Sequence, residues 1–190
     1  MLGVNLLFVG IVLISNGACN LTNVDRKSSS VINLFVGILS LYSNFVNLAQ
    51  GNYYAAGTGL LFGFTYLFID IDMLFNLDKR AFAWFSTFVA INAIVFGTME
   101  GFLGDIYLGV TPDIRWAGIW YLWAILWGTA FVEDILGKKL GKFTPILQIF
   151  EGIVTAWVPG ILMFIGRWLY SKWKFNTLLN FHFCLIKIFI

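Results

Sequence analysis

Six long runs of mostly apolar residues dominate this chain of 190 residues. They cover residues 1–19, 30–49, 57–76, 82–100, 116–136 and 143–170. About 20 apolar residues of helix cross the hydrocarbon core of a bilayer. Lipid offers backbone groups no water to bond, so runs of this length form helices, and the period-two alternation typical of a membrane β-barrel is absent. The sequence predicts an all-α integral membrane protein built as a bundle of six transmembrane helices.

Composition excludes the other broad classes of protein. Hydrophobic residues make up 59% of the chain and charged residues 12%, whereas a soluble domain carries about 45–50% apolar and about 25% charged residues. Disorder requires low hydrophobicity and high charge, and a net charge of +2 is too small to indicate nucleic-acid binding.

Basic residues between the runs predict the orientation of the bundle. The first, third and fifth breaks hold seven of the twelve Lys and Arg residues: Arg26, Lys27, Lys79, Arg80, Lys138, Lys139 and Lys142. The second break holds none and the fourth holds Arg115 alone. The positive-inside rule then places the odd breaks in the cytoplasm and both termini outside. Four basic residues at or beyond the end of the sixth run disagree with this orientation: Arg167, Lys172, Lys174 and Lys187.

The two ends of the chain need separate interpretation. No Lys or Arg precedes Arg26 and no A-x-A site follows the first run, so we expect a retained span rather than a signal peptide. Residues 1–170 form the predicted six-helix domain, and 171–190 form a C-terminal extension with His182 and Cys184. The extension is predicted to be interfacial or poorly ordered, with a seventh span as the alternative.

Small residues recur at helical spacing and predict close helix packing. Helices meeting in lipid approach each other through small side chains. This pattern favours a tight bundle or a subunit contact over a wide aqueous pore. The residues concerned are Gly3, Gly10 and Gly17; Asn33, Gly37, Ser40, Asn44 and Asn47; Gly59 and Gly63; and Gly152, Ala156 and Gly160.

Four tryptophans, Trp116, Trp120, Trp123 and Trp127, share one face of the fifth run because their spacing is 4, 3 and 4. The stripe extends roughly 16 Å, which is deeper than one aromatic belt at the headgroups. A mid-bilayer indole N–H prefers a polar partner. Spacing alone fits a pore-facing role for Trp123 and Trp127 as well as it fits packing in the core. The same two interpretations apply to Phe62 and Tyr66 on the third run.

Polar groups inside the runs are the second set of candidates. Glu151 lies eight residues into the sixth run, about 12 Å along the helix axis, where an ionisable group is by default a functional hypothesis. A purely structural role, in which the Glu151 carboxyl is held by hydrogen bonds, is an alternative of equal weight. Asn16 and Asn92 are candidate partners or pathway groups. Four further acids fall near helix ends and are expected on a solvated rim: Asp70, Asp72, Glu133 and Asp134.

Catalytic and metal-binding patterns are missing from the sequence. The single histidine lies in the extension, the two cysteines are isolated, and no G-x-S-x-G motif, metal-ligand cluster or phosphate-binding glycine loop is present. We therefore expect no enzyme activity, no cofactor and no metal.

Five successive segments resemble the AmiS/UreI family of urea and amide channels. They are MLGVNLLFVGIVLISNG, TGLLFGFTYLF, WFSTFVAIN, IWYLWAILWGTAFVEDIL and LGKFTPILQIFEGIVTAWVP. The resemblance implies a six-helix protomer of a hexameric ring in the cell membrane, with a path through each protomer and lipid in the central hole. It also implies that the path is lined by Leu6, Leu13, Phe62, Tyr66, Trp123 and Trp127, and it matches Glu151 to the acidic residue of the sixth-helix motif.

The resemblance predicts passive passage of urea toward a cytoplasmic urease. Uptake of short aliphatic amides is the alternative within the family, and a membrane scaffold that conducts nothing is the alternative outside it. Acid-gated members of the family carry a long first outer loop and histidines that titrate near pH 6. Here that loop covers only residues 50–56, and no outer loop contains a histidine. We expect a channel without histidine-based acid gating.

Overall fold

A computed structural model describes residues 2–168, and every regular element in that range is helical. This confirms the all-α prediction for the described residues. Two π-helical segments continue α-helices without a break: π1 (Phe131–Ile135) follows α6, and π2 (Gly152–Trp157) joins α7 to α8. The α-helices are α1 (Leu2–Thr22), α2 (Arg26–Ala49), α3 (Tyr53–Phe75), α4 (Lys79–Phe102), α5 (Gly104–Tyr107), α6 (Ile114–Ala130), α7 (Phe143–Glu151) and α8 (Val158–Phe164).

Five of the described helices are long and apolar enough to cross a membrane: α1, α2, α3, α4 and the continuous helix Phe143–Phe164. The predicted fifth span, 116–136, corresponds to α6, which has only 17 residues before it passes into π1. Five membrane-length helices with exposed apolar side chains make this a membrane protein.

Polar caps start three helices earlier than the apolar runs suggest. Asp25, Asp78 and Asp113 precede α2, α4 and α6, and each carboxylate accepts a backbone N–H of the first helical turn at 3.0 Å. The Arg80 side chain and backbone both donate to Asp78 and lower the pKa of that carboxyl to about 2. The helices α2 and α4 therefore begin with polar residues, which the apolar pattern alone assigned to the breaks.

The helices pack as three antiparallel pairs: α2 with α3, α4 with α6, and α1 with the helix formed by α7, π2 and α8. Glycines bring the last pair close together, as their spacing predicted. A Cβ atom built on Gly10 would lie 2.8 Å from the backbone nitrogen of Trp157, and one on Gly152 would lie 2.9 Å from the carbonyl of Gly10. Only glycine allows this approach.

The end of the last helix differs from its predicted end. The sixth apolar run extends to 170, whereas α8 ends at Phe164 and Gly166 turns the chain with φ +67°. A left-handed backbone of this kind favours glycine and stops a helix. Residues 169–190, with the predicted extension 171–190, His182 and Cys184, lie outside the described residues.

Candidate functional site

Two cavities enter the bundle from opposite ends. The odd-loop cavity, about 280 Å³, opens where the first, third and fifth connections lie, and Asn20, Lys79 and Thr144 are among its lining residues. The even-loop cavity, about 490 Å³, opens at the other end, where Gln50 and Trp116 line it. Phe62 and Trp123 line both cavities. These two side chains therefore stand between the cavities.

Four aromatic rings surround this point, and we call Phe62, Trp120, Trp123 and Trp127 the aromatic slot. The ring centroid of Phe62 lies 4.7 Å from that of Trp123 and 5.0 Å from that of Trp127, and Trp120 meets Trp123 edge-on at 5.0 Å. Such tilted and edge-on contacts hold rings in fixed relative orientations. Aromatic rings in mutual contact therefore separate the two cavities. Trp120 belongs to the predicted stripe, but the sequence did not mark it as a path residue.

A buried hydroxyl holds Trp123 in place. The indole Nε1–H donates to Thr155 Oγ1 at 2.8 Å, and that hydroxyl donates to the Glu151 carbonyl at 2.6 Å. Thr155 was not among the residues that the sequence singled out. The polar partner that a mid-bilayer indole N–H prefers is, for Trp123, a side chain of the protein itself.

A reciprocal amide pair fixes one wall of the odd-loop cavity. Asn16 on α1 and Asn33 on α2 each donate to the other's side-chain oxygen at 2.9 Å, and Asn33 also donates to the Ser29 carbonyl. Asn33 is 0% exposed, while Asn16 reaches the cavity. The pair leaves Asn16 one N–H and one oxygen lone pair for a solute.

Charged groups surround the mouth of the odd-loop cavity. Arg26 and Asp72 form an ion pair at 2.9 Å, and Lys79, Glu133 and Asp134 also line the space. The acids at the helix ends are less solvated than the sequence suggested. Asp72 is buried against Arg26, and Asp70 is only 3% exposed and lines neither cavity.

Amides and a carboxyl line the even-loop cavity. Asn5, Asn44 and Asn47 face it from α1 and α2, and the Tyr54 hydroxyl donates to Glu100 at 2.9 Å across the space between α3 and α4. This cavity therefore offers hydrogen-bond donors and acceptors next to the aromatic slot.

An aromatic and ionic clasp closes the bundle at the same end. Arg115 donates to the Trp168 carbonyl at 2.9 Å, its guanidinium carbon lies 4.5 Å from the Trp168 ring centroid, and Trp116 meets that ring edge-on. Burial alone would raise the pKa of Asp113, but hydrogen bonds from Arg115 outweigh it and lower the pKa of Asp113. The clasp ties the start of α6 to the end of the last helix.

The structure brings most of the predicted path residues to the two cavities. Two do not line either cavity. Glu151 is 0% exposed, and neither of its carboxyl oxygens has a hydrogen-bond partner among residues 2–168. Asn92 donates to the Phe88 carbonyl of its own helix. The others are placed as follows: Leu13, Asn16, Tyr66 and Trp127 in the odd-loop cavity, Leu6 in the even-loop cavity, and Phe62 and Trp123 in both.

Within the described range, no group of three or more His, Cys, Asp and Glu side chains is arranged to hold a metal ion. A membrane bundle with a cavity from each end and a narrow aromatic contact between them is built as a transport protein rather than an enzyme. The chain belongs to the AmiS/UreI transporter family, whose model matches residues 1–167.

Relatives and solved structures agree on this family. The acid-activated urea channel of Helicobacter pylori is 48% identical over 194 residues, covering 88% of this chain and all of the relative. A Mycolicibacterium smegmatis protein named as a transporter of amidate substrates is 34% identical, covering 87% of this chain and 78% of the relative. The cryo-electron microscopy structure of the Helicobacter pylori urea channel in its closed state superposes with a TM-score of 0.81 at 49% identity, covering 89% of this chain and all of that one.

Proposed function

We propose that this chain is a passive channel that carries urea across the cell membrane to a cytoplasmic urease. The observation that carries the proposal is the aromatic slot between two cavities that each have amide side chains in their lining. Urea is small, planar and uncharged, so it can leave the amides of one cavity, pass flat between rings and meet the amides of the next. The urea channel of Helicobacter pylori, at 48% identity, supports this choice of solute.

The same slot opposes ions. An ion crossing it would exchange its water shell for aromatic carbon, and that exchange costs far more than the loss of two or three hydrogen bonds from a neutral amide. The path therefore excludes ions through the cost of dehydration, and it needs no site that recognises a particular ion.

In the proposed arrangement, α6 with π1 is the fifth of six spans. The seven Lys and Arg residues of the odd loops lie in the cytoplasm, and both termini lie outside. The exposed apolar faces of the protomer meet lipid and neighbouring copies in a homohexameric ring.

We also propose that the channel lacks histidine-based acid gating. The outer loops in this orientation, 50–52 and 103–113, contain no histidine. Among residues 2–168, the acidic side chains at that end are Glu100, Asp105 and Asp113. None of these is an imidazole, the side chain that ordinarily changes charge between pH 5 and 8. The single histidine, His182, lies outside the described residues.

Short aliphatic amides are the second candidate solute. The amidate transporter of Mycolicibacterium smegmatis supports this alternative, and acetamide shares with urea a planar shape and an amide edge. Acetamide has a methyl group where urea has a planar amino group. The aromatic slot can distinguish the two solutes only through the greater thickness of that methyl group.

Stopped-flow light scattering on proteoliposomes tests the function. We expect urea at pH 7 to enter several times faster than into empty vesicles of the same lipid. A faster entry of acetamide than of urea favours the amide alternative. If neither solute exceeds the empty-vesicle rate, the chain conducts neither, and the scaffold interpretation takes the place of this proposal.

A further inference from the structure

Thr155 connects the last helix to the aromatic slot through a hydrogen bond with Trp123. Its side chain is 0% exposed, and its hydroxyl uses both of its hydrogen-bonding functions, accepting from Trp123 and donating to the Glu151 carbonyl. The bond to Trp123 joins α6 to π2 through two residues that lie 32 positions apart in sequence.

Thr155 lies within the π-helical turn π2 of the last helix. In π2 the backbone hydrogen bonds reach five residues back, as the N–H of Val158 does to the carbonyl of Ile153. The Thr155 hydroxyl bonds the carbonyl four residues back instead. That bond fixes the hydroxyl rotamer and leaves the oxygen lone pair directed at the Trp123 N–H.

We propose that Thr155 is a positioning residue that sets the solute selectivity of the channel by fixing the Trp123 ring across the aromatic slot. The inference rests on the proposed function and assigns a role within it to a side chain that lines neither cavity. The mechanism is geometric. Trp123 meets Phe62 at 4.7 Å and Trp120 at 5.0 Å, so a rotation of the indole changes the width of the slot.

The consequence for selectivity is that Trp123 presents only its ring to the solute. With its N–H bonded to Thr155, the indole discriminates by thickness rather than by hydrogen bonding. When the hydroxyl is removed, the N–H is freed and the ring is no longer tied to π2. A neutral hydrogen bond biases an equilibrium between orientations by about three- to tenfold, and we expect the selectivity to change on that scale.

The test compares urea with N-methylurea, which adds one methyl group, in proteoliposomes of full-length protein. Thr155→Val has nearly the shape of threonine and removes only the hydroxyl, and Thr155→Ser keeps the hydroxyl. Thr87→Val is the matched control, because the Thr87 hydroxyl bonds only the Ala83 carbonyl of its own helix and lines neither cavity.

We expect Thr155→Val to raise the permeability of N-methylurea relative to urea by about threefold or more. Thr155→Ser should restore the wild-type ratio, and Thr87→Val should leave it unchanged. In a Trp123→Phe background, which has no N–H to hold, Thr155→Val should have little further effect. A wild-type ratio in Thr155→Val, or an equal change in Thr87→Val, overturns the inference.

A spectroscopic readout separates this inference from the proposed function. The indole ¹⁵N–¹H signal of Trp123 can be assigned by its loss in Trp123→Phe among the eight tryptophans. It should shift in Thr155→Val and return in Thr155→Ser. If the signal does not shift, the hydrogen bond is absent and the inference fails, even where urea still enters. If wild-type protein conducts no solute, the proposed function fails first, whatever the signal does.

Discussion

Replacing Asn16 with leucine would break the amide pair between α1 and α2. Asn33 is 0% exposed, its side-chain oxygen accepts only from Asn16, and one of its two N–H groups donates only to Asn16. The other N–H keeps the Ser29 carbonyl. Asn16→Leu therefore leaves one acceptor and one donor of Asn33 without partners inside the bundle.

The size of the effect follows from counting those groups. Interhelical hydrogen bonds in a membrane protein are worth about 0.6 kcal/mol on average, so two of them give a lower bound of about 1.2 kcal/mol. Stranding a buried polar group costs about 1–3 kcal/mol. We expect Asn16→Leu and Asn33→Leu each to lower the free energy of unfolding by about 1–4 kcal/mol. The double variant should lose less than the sum of the two, because leucine then meets leucine.

Unfolding in mixed micelles, followed by far-UV circular dichroism, measures these free energies as a double-mutant cycle. Asn92→Leu is the matched control, because the Asn92 amide bonds only its own helix and its loss should cost less than about 0.5 kcal/mol. Strict additivity of the two single variants, or a cost for Asn92→Leu as large as theirs, would show that the pair does not couple the helices.

Three further outcomes are expected. Gly10→Leu, whose Cβ would meet the backbone of Trp157, should cost about 1–3 kcal/mol or more and reduce the monodisperse yield in size-exclusion chromatography. Trp127→Ala should cost about 3–5 kcal/mol of stability and admit N-methylurea more readily. Trp127→Ala should also alter urea flux, and Glu151→Gln, at a buried carboxyl that lines neither cavity, should alter urea flux or assembly. Unchanged values for both would contradict this prediction. Urea permeability should change less than about twofold between pH 7 and 5, because no outer-loop histidine titrates there. Because the pKa of Asp113 is lower in the folded protein, its ionised carboxylate stabilises the fold. This stabilisation is complete above the ordinary pKa of about 4, and therefore at pH 5 and 7, and it is lost only as the pH falls through the lowered pKa. A severalfold rise of flux at pH 5 would refute this pH prediction.

The fold was largely predictable because lipid leaves a long apolar run few options. The boundaries were less so, since Asp25 and Asp78 cap helices that start before the apolar residues. The π segments carry no signal in the sequence, because 152–157 is as apolar as the helices around it and the two acids of 131–135 fit an ordinary helix end equally well. Whether a turn closes to the fourth or the fifth residue is decided by packing with neighbouring helices.

The candidate site was predictable where one helix face carried it. The stripe of tryptophans on α6 placed Trp123 and Trp127 together, and spacing on α3 marked Phe62 and Tyr66. The family resemblance added Leu6 and Leu13 from α1. Partners on another helix were not predictable, which is why Thr155 was missed. A polar residue inside a run is also ambiguous. The Asn92 side chain donates to the Phe88 carbonyl of its own helix. No spacing rule distinguishes an amide bonded in this way from an amide that lines a pathway.

The pairing of α1 with the last helix has a consequence for how the protein is made. The face of α1 that carries Gly3, Gly10 and Gly17 packs against α7, π2 and α8, with on the order of 120 residues between the two partners. At translation speeds of about 5–20 residues per second, the ribosome needs about 6–24 s to synthesise that stretch. During this interval α1 sits in the bilayer with its glycine face toward lipid or the insertion machinery, while Asn16 can already bond Asn33 on α2. Co-translational folding therefore cannot close the bundle early, and a nascent chain that ends before residue 143 leaves its first helix without its main packing partner.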